Sequence, residues 1–143
     1  IYYDVESRKN SITYRGNISR LIDQLILENR NKEAEIILDL CMTKMPVKEF
    51  GYYTLVEPLI NSYYVIDKKE KARKIFDEIA VKYQENLFYY SSISNSNKNR
   101  YAEDIYTDIE RYRSLVDVII NYEDGEYLET RMKEFNDYLG LFL

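Results

Sequence analysis

Two stretches of this chain repeat each other at a fixed distance, and that repetition limits the folds open to it more than any other feature. Leu21 and Leu59, Ile22 and Ile60, Leu25 and Tyr63, Ala34 and Ala72, Leu38 and Phe76, and Cys41 and Ile79 each stand 38 residues apart. A period of this length is the mark of stacked supersecondary units, each too small to bury its apolar face alone. Within each unit the apolar residues recur at spacings of three and four, which puts them on one stripe of a helix. Ile18, Leu21, Ile22 and Leu25 predict a helix over 12–29, and Ala34, Ile37, Leu38, Cys41, Met42 and Met45 predict a second that stops at Pro46.

Between these helices the polar break Glu28-Asn29-Arg30-Asn31 reads as a tight hairpin turn. Asn29 would take the left-handed conformation that ends a helix, and Asn31 would cap the next one. The second unit follows the same pattern. Val56, Leu59, Ile60 and Tyr63 predict a helix over 53–66, and Ala72, Ile75, Phe76, Ile79 and Tyr83 predict one over 68–90. Pro58 and the capping-box spacing of Thr54 and Glu57 imply an irregular first turn in the third helix. Ser91 to Asn99 reads as the one polar loop and the most mobile internal segment, because Ser and Asn side chains compete for backbone hydrogen bonds. Helices over 100–122 and 125–140, turned by Glu123-Asp124-Gly125, complete three hairpins and six helices. No alternating Val/Ile/Thr run bounded by turn residues predicts a strand, so the expected class is all-α. The expected divisions are an extended lead-in over 1–11, hairpins over 12–46 and 53–90, and a capping hairpin over 100–140. A chain that opens on Ile1 reads as a piece of a longer polypeptide.

In physical terms Ala34 and Ala72 are small because the two helices of a hairpin approach closely there, while the larger residues one turn on fill the space between hairpins. The small Ala34, Leu38, Cys41 and the closing Pro46 resemble the tetratricopeptide repeat in order and spacing. The second unit departs from that motif, with Gln84 in place of the closing Pro. Neither unit has the motif's large aromatic or turn Gly, and 38 exceeds the usual period of about 34. A longer resemblance runs from Tyr3-Asp4 and Arg8 through Tyr14-Arg15, Asn29-Arg30-Asn31-Lys32-Glu33-Ala34, Leu38-Asp39-Leu40-Cys41 and Pro46 to Tyr63-Tyr64 and Lys71-Ala72. In these the chain is similar to the C-terminal tail of a family of large bacterial membrane proteins, common in Bacteroidetes, that themselves resemble protein O-mannosyltransferases. The resemblance implies a soluble helical region on the extracytoplasmic side of the inner membrane, appended to a lipid-sugar-dependent glycosyltransferase whose catalytic residues lie elsewhere. It transfers no catalytic residue to this chain.

Composition bears on function by exclusion. The net charge of -5 disfavours nucleic acid, whose phosphates call for a basic face. The basic run Lys68-Lys69-Glu70-Lys71-Ala72-Arg73-Lys74 reads as a solvated helix face rather than a binding patch. No apolar run has the length of a membrane span. With no histidine and the single Cys41, the sequence offers neither a hydrolytic triad nor a thiolate metal centre, and Cys41 reads as a small buried hydrophobe. The four glycines, Gly16, Gly51, Gly125 and Gly140, form no phosphate loop. The pairs Asp104 and Asp108, and Glu126 and Glu129, share helix faces, yet among 25 acidic residues such pairs arise by chance and read as solvated faces. No catalytic residue, cofactor or metal is expected. Recognition remains, in a groove lined by the first helix of each hairpin, where Ser19, Asp23, Glu57, Asn61 and Tyr64 are the candidate residues. Asp23 and Glu57 would repel an anion, so a neutral or basic peptide segment is the expected ligand. The partner is a protein or peptide, or the membrane part of the same chain. The alternative is a free-standing cytoplasmic adaptor that holds a peptide in this groove.

Overall fold

The structure is a computed structural model that describes residues 5–47 and 56–143. Among these residues the chain forms seven α-helices and no strand: α1 (Val5–Leu27), α2 (Asn31–Lys44), α3 (Glu57–Val65), α4 (Lys69–Ser92), α5 (Asn95–Arg100), α6 (Ala102–Asn121) and α7 (Gly125–Leu139). Two compact units divide the chain at residues 79 and 80, within α4.

In the first unit α1 packs on α2, and α3 packs against both. Ile22 and Leu25 of α1, Ala34, Leu38 and Cys41 of α2, Leu59, Ile60 and Tyr63 of α3, and Ala72, Ile75, Phe76 and Ile79 of α4 are buried. The internal repeat extends to the turns. Asn29 and Asp67, 38 residues apart, both take positive φ, at 59° and 62°. Arg30 N donates to Leu25 O and Lys68 N to Tyr63 O, each at 2.8 Å, while Asn29 N donates to Ile26 O and Asp67 N to Tyr64 O, each at 3.0 Å. These paired bonds satisfy carbonyls that a helix end would otherwise leave without partners.

This turn is one residue tighter than the sequence suggests, and that displaces the expected cap. Arg30, not Asn31, occupies the N-cap of α2 and makes no side-chain cap bond. Its amide is committed to the preceding helix, and its carbonyl already accepts from Ala34 N at 3.0 Å.

The lead-in expected over 1–11 is a helix from Val5 onward, and residues 1–4 lie outside the described residues. Glu6, Arg8 and Lys9 are good helix formers with no Gly or Pro among them, and Glu6 lies in the first turn, where the helix dipole favours an acid. The third helix begins at Glu57 with Pro58 in its first turn, where both Leu59 N and Ile60 N donate to Val56 O at 3.0 and 3.1 Å. Thr54 and the first residues of the expected helix lie outside the described residues.

In the second unit, Tyr83 and Leu87 of α4 are buried along with Ile105, Tyr112, Leu115, Val116 and Ile119 of α6 and Phe135 of α7. Tyr112 is central to it, stacked on Tyr83 with ring centroids 6.0 Å apart and edge-on to Phe135 at 4.9 Å. The expected loop over Ser91 to Asn99 is mostly helical. The Ser91 and Ser92 hydroxyls donate to the carbonyls of Phe88 and Tyr89 at 2.7 Å each, carrying α4 to its end. The Ser94 side chain accepts from Asn97 N at 3.3 Å and starts α5. Side chains expected to compete with helix hydrogen bonds instead complete them at the two ends. This short helix brings the count among the described residues to seven rather than six.

Three apolar and acidic positions depart from expectation. Leu21 is 48% exposed although its counterpart Leu59, on a helix that packs against both α1 and α2, is fully buried. Met132, on the stripe of the last helix, is 37% exposed. Asp108, expected on a solvated face, is buried, while Asp104, Glu126 and Glu129 are exposed.

Candidate functional site

A groove of about 470 Å³ in the first unit lies between α2 and α4. Asp39, Met42 and Thr43 line it from α2, followed by Pro46 and Val47; Tyr63 enters from α3, and Lys71, Lys74, Ile75 and Glu78 from α4. Val47 and Ile75 are buried and Met42 is half-buried, so the floor is apolar; Lys74 and Glu78 are exposed and bring both signs of charge to the rim. The helical spacing of Lys71, Lys74, Ile75 and Glu78 presents them on one side of α4. The Thr43 hydroxyl donates to Asp39 O of its own helix at 2.8 Å, so its polar end is turned to the backbone.

One end of the groove is fixed by an ionic network. Lys71 Nζ donates to Glu35 Oε1 and Asp39 Oδ2, each at 2.7 Å, and the Tyr63 hydroxyl donates to Asp39 Oδ1 at 2.7 Å. Lys68 Nζ stands 3.5 Å from Glu35 Oε2. Partial burial pushes the Asp39 carboxyl up, but the bonds from Lys71 and Tyr63 together more than reverse this and leave it below the ordinary aspartate value. The Glu35 carboxyl is held low chiefly by the Lys71 hydrogen bond, and Lys71 is held high by Asp39 and Glu35. Burial, reinforced by the bond to Asp39, drives the Tyr63 phenol far above its usual range. Part of the basic run is therefore not merely solvated: Lys68 and Lys71 tie α4 to α2. Sequence reasoning missed this network, although two acids four apart on α2 and two bases three apart, Lys68 just before α4 and Lys71 in its first turn, are the spacings such a bridge needs.

Of the five residues predicted to line a groove, Asp23 of α1 and Asn61 of α3 do share one, a shallow depression of about 260 Å³ with Ile26, Leu27, Ser62 and Val65. Ser19, Glu57 and Tyr64 are half-buried and do not line it. Cys41 is buried, and burial raises its thiol pKa. Near it lies a residue that no periodicity singled out, the buried Arg15, whose Nη2 donates to Met45 O at 3.0 Å just past the carbonyl end of α2. A cation suits that end of a helix, and burial lowers the guanidinium pKa.

Among the described residues no group of three or more His, Cys, Asp or Glu side chains is arranged to hold a metal ion. No described helix is long and apolar enough to cross a membrane. Compared with protein families, curated proteins and solved structures, the chain matches none.

Proposed function

We propose that this chain is a non-catalytic interaction module of stacked helical hairpins, tetratricopeptide-like in arrangement, that binds a protein segment in the groove between α2 and α4. The supporting observation is the composition of that groove: an apolar floor of Met42, Val47 and Ile75 beneath a rim of Lys74 and Glu78, with Asp39 and Lys71 already engaged in joining the helices. An aliphatic side chain would fill the floor, and flanking residues of opposite sign would meet the rim, the usual division of labour at interfaces. On the resemblance to glycosyltransferase-like membrane proteins, the proposal extends to the whole polypeptide: the module is carried on the extracytoplasmic side and docks a partner or orients an acceptor for the membrane part.

The test is made in the full-length protein, with residues 1–143 deleted and, separately, with Met42→Glu in the groove. Loss of complexes on blue-native gels and reduced glycan transfer in both is the expected result. Unchanged transfer together with unchanged complexes in both would overturn the reading.

The depression shared by Asp23 and Asn61 favours a second reading, a free-standing adaptor that binds a neutral or basic peptide across α1 and α3. Asp23→Lys would weaken such a complex and leave a ligand of the α2 and α4 groove in place.

A further inference from the structure

The groove between α2 and α4 has a half-built counterpart one repeat earlier. On the side of the second hairpin its wall is made by Tyr63, Lys71, Lys74, Ile75 and Glu78. Thirty-eight residues before these stand Leu25, Glu33, Ile36, Ile37 and Leu40. The first four of them, with Leu21 and Arg30, line a groove of about 370 Å³ on α1 and α2. The later wall is engaged by α2: Lys71 Nζ donates to Glu35 and Asp39, and the Tyr63 hydroxyl to Asp39, each at 2.7 Å. On the earlier wall Leu21, Ile36 and Leu40 are 48%, 64% and 50% exposed. The repeat puts the charged Lys74 and Glu78 in solvent at two positions where the first hairpin has Ile36 and Leu40. Single exposed aliphatic residues need no explanation, but a contiguous set does. The charge differs as well. Where the later wall has Lys71 the earlier one has Glu33, and Arg30 is shared by Glu28 and Glu33, so that edge carries one negative charge in excess.

We propose that an amphipathic helix of another protein docks on this earlier wall, in the place that α2 takes beside the later one. The contact is heterologous, a wall against a helix, as between the two hairpins. Register states the chemistry of the occupant. An aliphatic residue stands where α2 has Asp39, because the position that meets Tyr63 there meets Leu25 here. A Lys or Arg stands one turn earlier, where Glu35 meets Lys71, because it now faces Glu33. The polypeptide leading into α1 is not placed to supply this helix. Met45 and Pro46 break the chain out of α2 before the next hairpin, whereas their counterparts Ser7 and Arg8 lie within α1. A helix in the register of α2 would therefore run unbroken into α1 and could not fold back on it. The surface neighbours the groove of the proposed function on α2 but shares none of its lining residues, and it does not rest on that reading.

The probe is a labelled, end-capped peptide of residues 31–44 carrying Glu35→Lys and Asp39→Leu, titrated with the chain by fluorescence anisotropy. Saturable binding with Kd below about 100 µM is expected, within reach of a short helix on a modest groove. The unaltered peptide should bind at least about tenfold more weakly, since its Asp39 would be set against Leu25 and Ile36 without a partner. In the chain, Ile36→Glu should weaken the altered peptide at least about tenfold. Glu33→Lys should invert the preference, so that a peptide with Asp39→Leu alone, which keeps Glu35, binds the tighter. Lys74→Glu, in the neighbouring groove, should change nothing. Circular dichroism on every variant establishes that the helices persist. Absence of saturation, indifference to Ile36→Glu, a preference unmoved by Glu33→Lys, or equal weakening by Lys74→Glu would each overturn the proposal. Self-association of the chain that Ile36→Glu abolishes would assign the face to a second copy, and loss of peptide binding in the full-length protein would assign it to another part of the same polypeptide; either result overturns it too.

Discussion

The first two hairpin turns and the last one share a backbone but not a packing solution. Asn29, Asp67 and Glu123 all take positive φ, and the residue five positions later donates its amide to the carbonyl just past the turn: Ala34 to Arg30, Ala72 to Lys68 and Leu128 to Asp124. At that fifth position the first two hairpins have a fully buried alanine, and the last has a half-buried leucine. The left-handed residue and its following bond, being local, recur, with a second positive φ added at Gly125 in the last turn; the distance at which the helices then meet is set by the side chain there. In the last hairpin the space is filled by Tyr112 and Phe135 instead.

The sharpest way to break this comparison is to exchange sizes. Ala72→Leu forces three extra carbons into a site with no room and should cost about 3 kcal/mol, the upper part of the usual overpacking range. Leu128→Ala removes the same atoms from a half-open site and should cost no more than about 1 kcal/mol. Chemical denaturation of both measures it; equal costs would mean that the alanines do not set the approach of the helices.

Two carboxylates sharpen the contrast between the units. Burial raises the pKa of Asp108, against a lesser opposing contribution from the Asn86 amide, which donates to it at 3.2 Å. Its folded pKa lies above its unfolded one, so its favourable contribution is present at low pH and is lost as pH rises through the folded value. Asp108→Asn should therefore raise stability near neutral pH by about 1 kcal/mol, the scale of an incompletely compensated buried polar group. The gain should shrink as pH falls below the ordinary carboxylate range. Asp39 has the opposite sign: its pKa is depressed, so its contribution is present above that range and is lost on acidification. Tyr63→Phe, which removes the phenol bonded to Asp39, should cost about 1 kcal/mol at neutral pH and less in acid, where the carboxyl is protonated. Thermal unfolding of each variant from pH 3 to 8 separates the two behaviours, and parallel profiles would show that the environments do not differ.

The sequence revealed the helices and their turns because both are local: apolar spacing marks Ile22 and Leu25, and Asn29 marks the first turn. It also placed Ala34, Ala72 and Cys41 in the interior. It did not reveal that Leu21 stands open while Leu59 is covered, since identical residues in identical registers carry no information about what lies beside them. The network of Glu35, Asp39, Tyr63 and Lys71 depends on the side-by-side placement of α2, α3 and α4, which no spacing within one helix encodes. Asp108 was misjudged for the same reason, as its burial comes from the second unit's packing rather than from its own helix. Asp23 and Asn61 came together only because α1 and α3 are neighbours.

The smallest expected effects concern the turns themselves and test whether the three are equivalent. A left-handed backbone costs an ordinary L residue about 1 to 2 kcal/mol, less for Asn and Asp, whose side chains bond locally. Glycine removes that cost but gives back about 0.5 to 1 kcal/mol through the freedom it adds to the unfolded chain. For Asn29→Gly the two terms should nearly cancel. Asp67→Gly should behave similarly or gain slightly. Glu123→Gly should gain about 0.5 kcal/mol, because glutamate has the least tolerance for φ of 47°. Gly125, at φ 49° with open space where a Cβ would stand, supplies the internal control. Gly125→Ala carries only the backbone cost and should destabilise by about 1 kcal/mol without any clash. If Glu123→Gly proved no better than Asn29→Gly in denaturant titrations, the last turn would be relieved by contacts that the first two lack, and the shared backbone would conceal a third difference.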